Sequence, residues 1–232
     1  MKTGNLLGPL LLAIAFLAMA PAAGLAADQE EVSNPDAKCV KCHSRGLKKK
    51  LEDGETMSLK VDVDAFGTSV NTVIGCTCCH RDVAKSKHPS KQPISSRRDY
   101  SLKHNKTCRQ CHEAKYIAYE GSIHASLVAA GNEEAPLCSD CHSSHAIQPR
   151  SAYEPKSGEP CSTCHTDIFD AYAESVHGVA HSQGNTIRGD HVQAPICSDC
   201  HRSHDILAVA ETDYLVSTCL SCHEVAKLAH EQ

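Results

Sequence analysis

Apolar residues are unevenly placed along this chain. The longest apolar run comes first, at residues 6–20, behind the basic residue Lys2 and ahead of Pro21 and the small-residue stretch 22–27. A basic start, an apolar centre and a small-residue end form an export signal, with cleavage expected after Ala26 or Ala27. The alternative is an uncleaved anchor, since residues 6–27 approach the length of a bilayer span. Pro21 and the alanine-rich end favour cleavage. Beyond this run the apolar positions are short and interrupted. Residues 108–130 and 161–181 carry few breakers and predict helices. Residues 59–63 alternate apolar and polar and predict a short strand. Residues 88–98 contain Pro89, Pro93, several serines and Arg97-Arg98, and predict a linker. The expected fold is mainly α, with much irregular structure and minimal β.

Composition changes this picture. The chain has 232 residues, no tryptophan, 3 phenylalanines and 6 tyrosines, against 15 cysteines and 16 histidines. A core of its own side chains is therefore poorly supplied, and something bound must replace it. The net charge of -5 gives no electrostatic reason for a nucleic-acid partner. Lys48-Lys49-Lys50 is a local basic patch, either a solvated face or a docking point for an acidic partner.

The cysteines explain the composition. Fourteen of them form seven Cys-x-x-Cys pairs: Cys39 and Cys42, Cys76 and Cys79, Cys108 and Cys111, Cys138 and Cys141, Cys161 and Cys164, Cys197 and Cys200, Cys219 and Cys222. Each pair is followed at once by a histidine: His43, His80, His112, His142, His165, His201 and His223. They are numbered motifs 1 to 7 in chain order. Two thiols at this spacing add across the two vinyl groups of a haem, and the adjoining histidine faces the iron. Disulfides need no histidine next in line, and zinc sites do not adjoin one every time. The expected cofactor is haem c, seven groups covalently attached, forming a stack that serves as the core. Cys78, inside motif 2, is the leftover thiol, a spacer residue or a reactive group.

The motifs belong to a repeat. Tyr119, Ser122 and His124 follow Cys108 at the same offsets as Tyr172, Ser175 and His177 follow Cys161. The next motifs, 4 and 6, both read Cys-Ser-Asp-Cys-His with another histidine three residues on, His145 and His204. A diverged copy precedes motif 2, where Phe66, Ser69 and Asn71 keep the aromatic-x-x-Ser-x spacing but Asn71 stands where histidine is expected. These aromatic residues pack either on a haem or between helices. The expected organisation is a signal peptide (1–27), an N-terminal two-haem module (28–100), two repeat modules (101–150 and 151–209) and a C-terminal single-haem segment (210–232).

Seven irons with two axial histidines each require seven further histidines. The repeat nominates His124, His145, His177 and His204; His88, His104 and His230 complete the set, leaving His181 and His191 as surplus. His145 and His204 lie too close to their own motif histidines to reach round the same iron, and are expected to serve a neighbouring haem. Asn71 leaves three readings open: another histidine such as His181 or His191 fills the gap, Met57 does so, or one iron is five-coordinate.

The pattern Cys-x-x-Cys-His, aromatic-x-x-Ser-x-His, Cys-x-x-Cys-His-x-x-His resembles periplasmic multihaem c-type cytochromes. It is similar in particular to decahaem electron-conduit cytochromes and to the cytochrome c3 family, over about residues 39–223. The resemblance implies mostly low-potential, bis-histidine haems in a chain, with His124, His145, His177 and His204 at ligand positions. It implies an electron carrier rather than an enzyme, periplasmic or extracellular, in anaerobic or extracellular respiration. Its donor would be a membrane quinol dehydrogenase or a small cytochrome, its acceptor a terminal reductase or an outer-membrane conduit, and association with a membrane complex is compatible with both. Two alternatives stand beside it: a multihaem reductase of nitrite, hydroxylamine or a sulfur oxyanion, and a subunit of an extracellular cytochrome filament.

Overall fold

The computed structural model describes residues 36–85, 88, 91–153, 158–184, 186–187, 192–207 and 212–223. The export-signal segment, His191 and His230 lie outside these residues. The fold is mainly helical. Its longest described helices are Thr212–Cys222, Arg97–Asn105 and Thr166–Glu174, and its sheets are two-stranded hairpins, Lys48–Lys50 with Thr56–Ser58 and Thr186–Ile187 with Val192–Gln193. No described helix is long and apolar enough to cross a membrane.

The strand expected at residues 59–63 is not there. Pairing instead sets Lys49 opposite Met57, across a turn that includes Gly54 at φ +93, a conformation glycine adopts without strain. The chain then leaves the strand, because the Asp62 carboxylate accepts hydrogen bonds from the backbone N–H groups of Asp64 and Ala65 and starts the helix Val63–Gly67. The linker expected at 88–98 is only partly one. The backbone N–H groups of Glu52 and Asp53 donate to the carbonyls of Ile94 and Ser95, and the Lys49 ammonium donates to Gln92. Arg97 and Arg98 then open a helix capped by Ser96.

The two long helices expected after motifs 3 and 5 are each broken in two, as Glu113–Glu120 and Ile123–Ala129, and as Thr166–Glu174 and Val176–Ser182. The break has a local cause. Ser122 and Ser175 sit in extended backbone, and their hydroxyls accept from the N–H groups of Ala125 and Gly178, so each serine begins a new helix. His124 and His177 thereby occupy the first turn of the second helix. Tyr119 and Tyr172 fix the following segment, donating their hydroxyls to the carbonyls of Pro136 and Pro195 at 2.8 and 2.9 Å. A side chain at Gly178 would meet the Tyr172 carbonyl oxygen at 2.1 Å. Gly178→Ala is therefore expected to force the two helices apart and displace His177, costing about 1–3 kcal/mol; a fall in the thermal midpoint of the holoprotein measures it, and an unchanged midpoint refutes it.

Little apolar surface is enclosed by the chain itself. Among the described residues the buried apolar side chains are Leu51, Met57, Phe66, Tyr116, Ala135, Leu137 and Ala194. Large apolar residues stand out in solvent instead, among them Val73 at 88 %, Val176 at 82 % and Ile168 at 67 %. Roughly 30 residues serve each motif, below the ~40 at which a chain needs a bound group or cross-link to fold.

Candidate haem-binding and electron-transfer site

Two forms of motif are built. In motifs 2, 3 and 5 the histidine leaves the helical region, with His80, His112 and His165 at ψ 59, 42 and 51. In motifs 4 and 6 the histidine closes a short helix, Cys138–His142 or Cys197–His201, and the next residue turns left-handed, Ser143 at φ 61 and Arg202 at φ 62. The Asp140 and Asp199 carboxylates accept from the N–H groups of Leu137 and Ile196 and hold the start of these helices. Two residues further on, His145 and His204 face histidines of other motifs, His80 and His142. A β-branched residue at the left-handed position is strained. Ser143→Val is expected to cost about 1–2 kcal/mol and to loosen His145, seen as a lower thermal midpoint with partial high-spin character; a variant matching the parent in both refutes this role.

Motif 1 lies on the helix Ala37–His43, where the Cys42 carbonyl accepts from the Arg45 N–H at 3.2 Å. Cys42, expected as a haem attachment point, stands exposed, and so do Cys79, Cys111, Cys141 and Cys164. The first cysteine of each of these motifs, Cys39, Cys76, Cys108, Cys138 or Cys161, is half-buried. The exposed thiols of Cys42 and its counterparts are accessible for a thioether bond.

Consecutive motifs lie near one another. The Cys39 and Cys76 sulfurs are within 4.8 Å of each other beside the Asp36 carboxylate, and Cys108 neighbours Cys138 as Cys161 neighbours Cys197. Cys79 lies in the field of Cys108 and Cys111, Cys141 in that of Cys164, and Cys200 in that of Cys219 and Cys222. The seven motifs thus form an unbroken series in chain order. Burial and the neighbouring Asp36 and Cys39 push the Cys76 thiol up to about 12. The residue three before motif 1 or motif 3 ties it to the next one: Cys76 N–H donates to the Asp36 carboxylate at 2.7 Å, and Cys138 N–H to the Asn105 side chain at 3.0 Å. Sequence reasoning missed Asp36 and Asn105; their shared offset from the first cysteine was the available signal. No disulfide joins any of the fifteen cysteines.

Histidines from distant parts of the chain face one another. Ring centroids are 6.0 Å apart for His43 and His88, 6.1 Å for His80 and His145, 6.2 Å for His124 and His165, 5.9 Å for His142 and His204, and 5.9 Å for His177 and His223. Two axial nitrogens about 2 Å from one metal set their ring centroids about 6.3 Å apart. The five pairs therefore fit an iron between them. Each joins one motif histidine to one of the nominated second ligands. His104 lies 5.1 Å from His80, nearer than that spacing, with its Nε2 buried and unpartnered. Among the described residues no imidazole ring faces His112 or His201. His181 offers its Nδ1 to the Ala194 carbonyl at 3.3 Å, just before motif 6.

For several of these rings the environment favours the neutral form, the one with a lone pair for a metal. Burial, then His104 and His145, push His80 down to about 4. Burial is also the chief cause that lowers His124, His142, His145 and His204. Hydrogen bonds orient the rings: His43 Nδ1 meets the Leu59 carbonyl at 2.8 Å and His204 Nδ1 the Ser203 hydroxyl at 3.2 Å. A cavity of about 350 Å³ lined by Leu102, Tyr116, Tyr119, Val128 and Leu137 adds apolar room beside motifs 3 and 4.

The family model for Cytochrome c3 matches residues 130–224, less than half of the chain. The match supports a multihaem c-type cytochrome, an electron-transfer class that binds haem covalently. No curated protein and no solved structure matches.

Proposed function

We propose that the chain is an exported seven-haem electron relay in which electrons pass along the motifs in sequence order. The spacing of histidine rings from distant segments, together with the proximity of neighbouring motifs from Cys39 to Cys222, supports this reading. Haem supplies a one-electron couple at each motif. The protein attaches it through the two cysteines of the motif, from Cys39 and Cys42 in motif 1 to Cys219 and Cys222 in motif 7, and presents the motif histidine on one face. His88, His145, His204, His124 and His177 offer the second ligand opposite His43, His80, His142, His165 and His223. His181, whose Nδ1 meets the Ala194 carbonyl just before motif 6, is the histidine we assign opposite His201. His104 is a second neighbour of His80. Because most pairs join different motifs, ligation ties the modules together while it brings the redox centres close.

The residues 6–27 and the resemblance to periplasmic cytochromes support a periplasmic site of action, with a quinol dehydrogenase or small cytochrome as donor and a terminal reductase or outer-membrane conduit as acceptor. The count is tested by the mass of the secreted holoprotein and its haem-to-protein ratio. Seven haems per chain are expected, and fewer would sink the relay. His204→Ala is expected to turn about one haem in seven from low spin to high spin, since His142 loses its facing imidazole. An electron paramagnetic resonance spectrum identical to that of the parent would exclude His204 as a ligand.

A further inference from the structure

We propose that the iron served by His112 has Asn71 in place of a second histidine, and that this centre takes small exogenous ligands such as carbon monoxide. The inference rests on haem attachment at motif 3, as in the relay, and goes beyond electron transfer.

The argument starts from the pairing of rings. In four of the five pairs the facing histidine comes from the stretch two motifs away; the exception is His88, which follows motif 2 and faces His43 of motif 1. His124, which follows motif 3, faces His165 of motif 5, and His177, which follows motif 5, faces His223 of motif 7. In the other direction, His145 of motif 4 faces His80 of motif 2, and His204 of motif 6 faces His142 of motif 4. Carried back by one repeat, the position equivalent to His124 and His177 is the one that follows motif 1. It belongs opposite His112 of motif 3. Asn71 occupies it.

The equivalence holds in the fold as well as the alignment. Val70, just before Asn71, donates its N–H to the Ile147 carbonyl at 3.0 Å; Ile123, just before His124, donates to the Ile206 carbonyl at 2.9 Å. Ile147 and Ile206 both lie two residues after the second histidine of their motif. Ser69 and Ser122 are both buried, at 6 % and 1 %. Asn71 is thus anchored as His124 is. From the other side, among the described residues no imidazole faces His112, whereas five of the seven motif histidines have one. His181 is held beside motif 6, on the Ala194 carbonyl, and so lies with a different motif. Met57, the other substitute, is buried in the hairpin strand paired with Lys48–Lys50.

The chemistry follows from the side chain. A carboxamide is a poor ligand for haem iron beside a neutral imidazole, and leaves the sixth position available. It carries two N–H donors that suit the outer atom of a small bound ligand. Its side chain makes no hydrogen bond among the described residues, while its backbone N–H is satisfied by the Ser69 hydroxyl at 3.3 Å. Binding forms one dative bond to the ferrous iron and transfers no electron.

The test uses the full holoprotein, reduced with dithionite and titrated with carbon monoxide, beside the ferric resonance spectrum. The parent is expected to bind carbon monoxide and to show a high-spin ferric centre. Asn71→His should remove one bound carbon monoxide per chain and one high-spin centre at unchanged haem content, while Asn71→Ala should keep both. A parent that carries seven haems but binds no carbon monoxide overturns the inference, as does an Asn71→His variant that binds as the parent does. Carbon monoxide binding that appears only in His104→Ala also overturns it, by giving the sixth position to His104. A haem count below seven fails the relay instead, and the two failures are told apart by that count.

Discussion

Made without haem, the polypeptide is expected to show no cooperative unfolding transition and to be digested by protease within the time that leaves the holoprotein intact. The reason is the shortage of enclosed apolar surface. Among the described residues Leu51, Met57, Phe66, Tyr116 and Leu137 are the large apolar side chains removed from solvent, while Val73, Ile117, Ile168 and Val176 remain more than half exposed. Ordering each residue's backbone costs about 1–2 kcal/mol, so a fold of this length needs far more burial than these side chains supply. Attached haem would provide it, and paired histidines would cross-link segments as distant as His80 and His145. Calorimetry and limited proteolysis on the chain expressed without its first 27 residues in the cytoplasm, where no haem is attached, make the comparison. A sharp heat-absorption peak from that material would show that the protein has a core of its own.

Removing the attachment point at motif 4 is expected to divide the relay. In a Cys138→Ala/Cys141→Ala variant six haems remain, but the series of contacts is interrupted between motif 3 and motif 5, because Cys138 adjoins Cys108 and Cys141 adjoins Cys164. Reduction by a donor protein docked at one end should then become biphasic, with the far group of haems reduced at least tenfold more slowly. Stopped-flow spectroscopy reads the two phases. Single-phase reduction at the parent rate would mean that each haem takes electrons from solution independently. His204→Ala serves as the control: it alters the ligation opposite His142 and leaves the attachment of every haem in place.

The dependence on haem follows from what was legible along the chain; the division of the relay follows from what was not. Seven pairs of cysteines with an adjoining histidine, the repeat of Tyr119-x-x-Ser122-x-His124 in Tyr172-x-x-Ser175-x-His177, and the exception at Asn71 are all local patterns of spacing. The mainly helical character was legible for the same reason. The expected strand at 59–63 and the unbroken helices after motifs 3 and 5 were not, because short polar side chains decided them: Asp62, Ser122 and Ser175 offer the backbone hydrogen bonds that compete with the periodic pattern. Nor was the split within motifs 1 to 5, with Cys39 close to Cys76 and Cys42 exposed, since both cysteines read alike along the chain. The surplus of histidines could be counted, but not sorted, since residues such as His43 and His88 or His124 and His165 meet only when the chain has folded.

By itself, the sequence carried the expected chemistry of each motif, since the attachment and ligation it implies need only five consecutive residues. It also determined that a histidine is missing at position 71. Tertiary structure decided which histidine faces which, that in four of five pairs the facing ring comes from two motifs away, and that neighbouring motifs lie near one another in chain order from Cys39 to Cys222. These are relations between distant segments, set by the left-handed turns at Ser143 and Arg202 and by the ties from Asp36 and Asn105 to the following motif, and no local spacing encodes them.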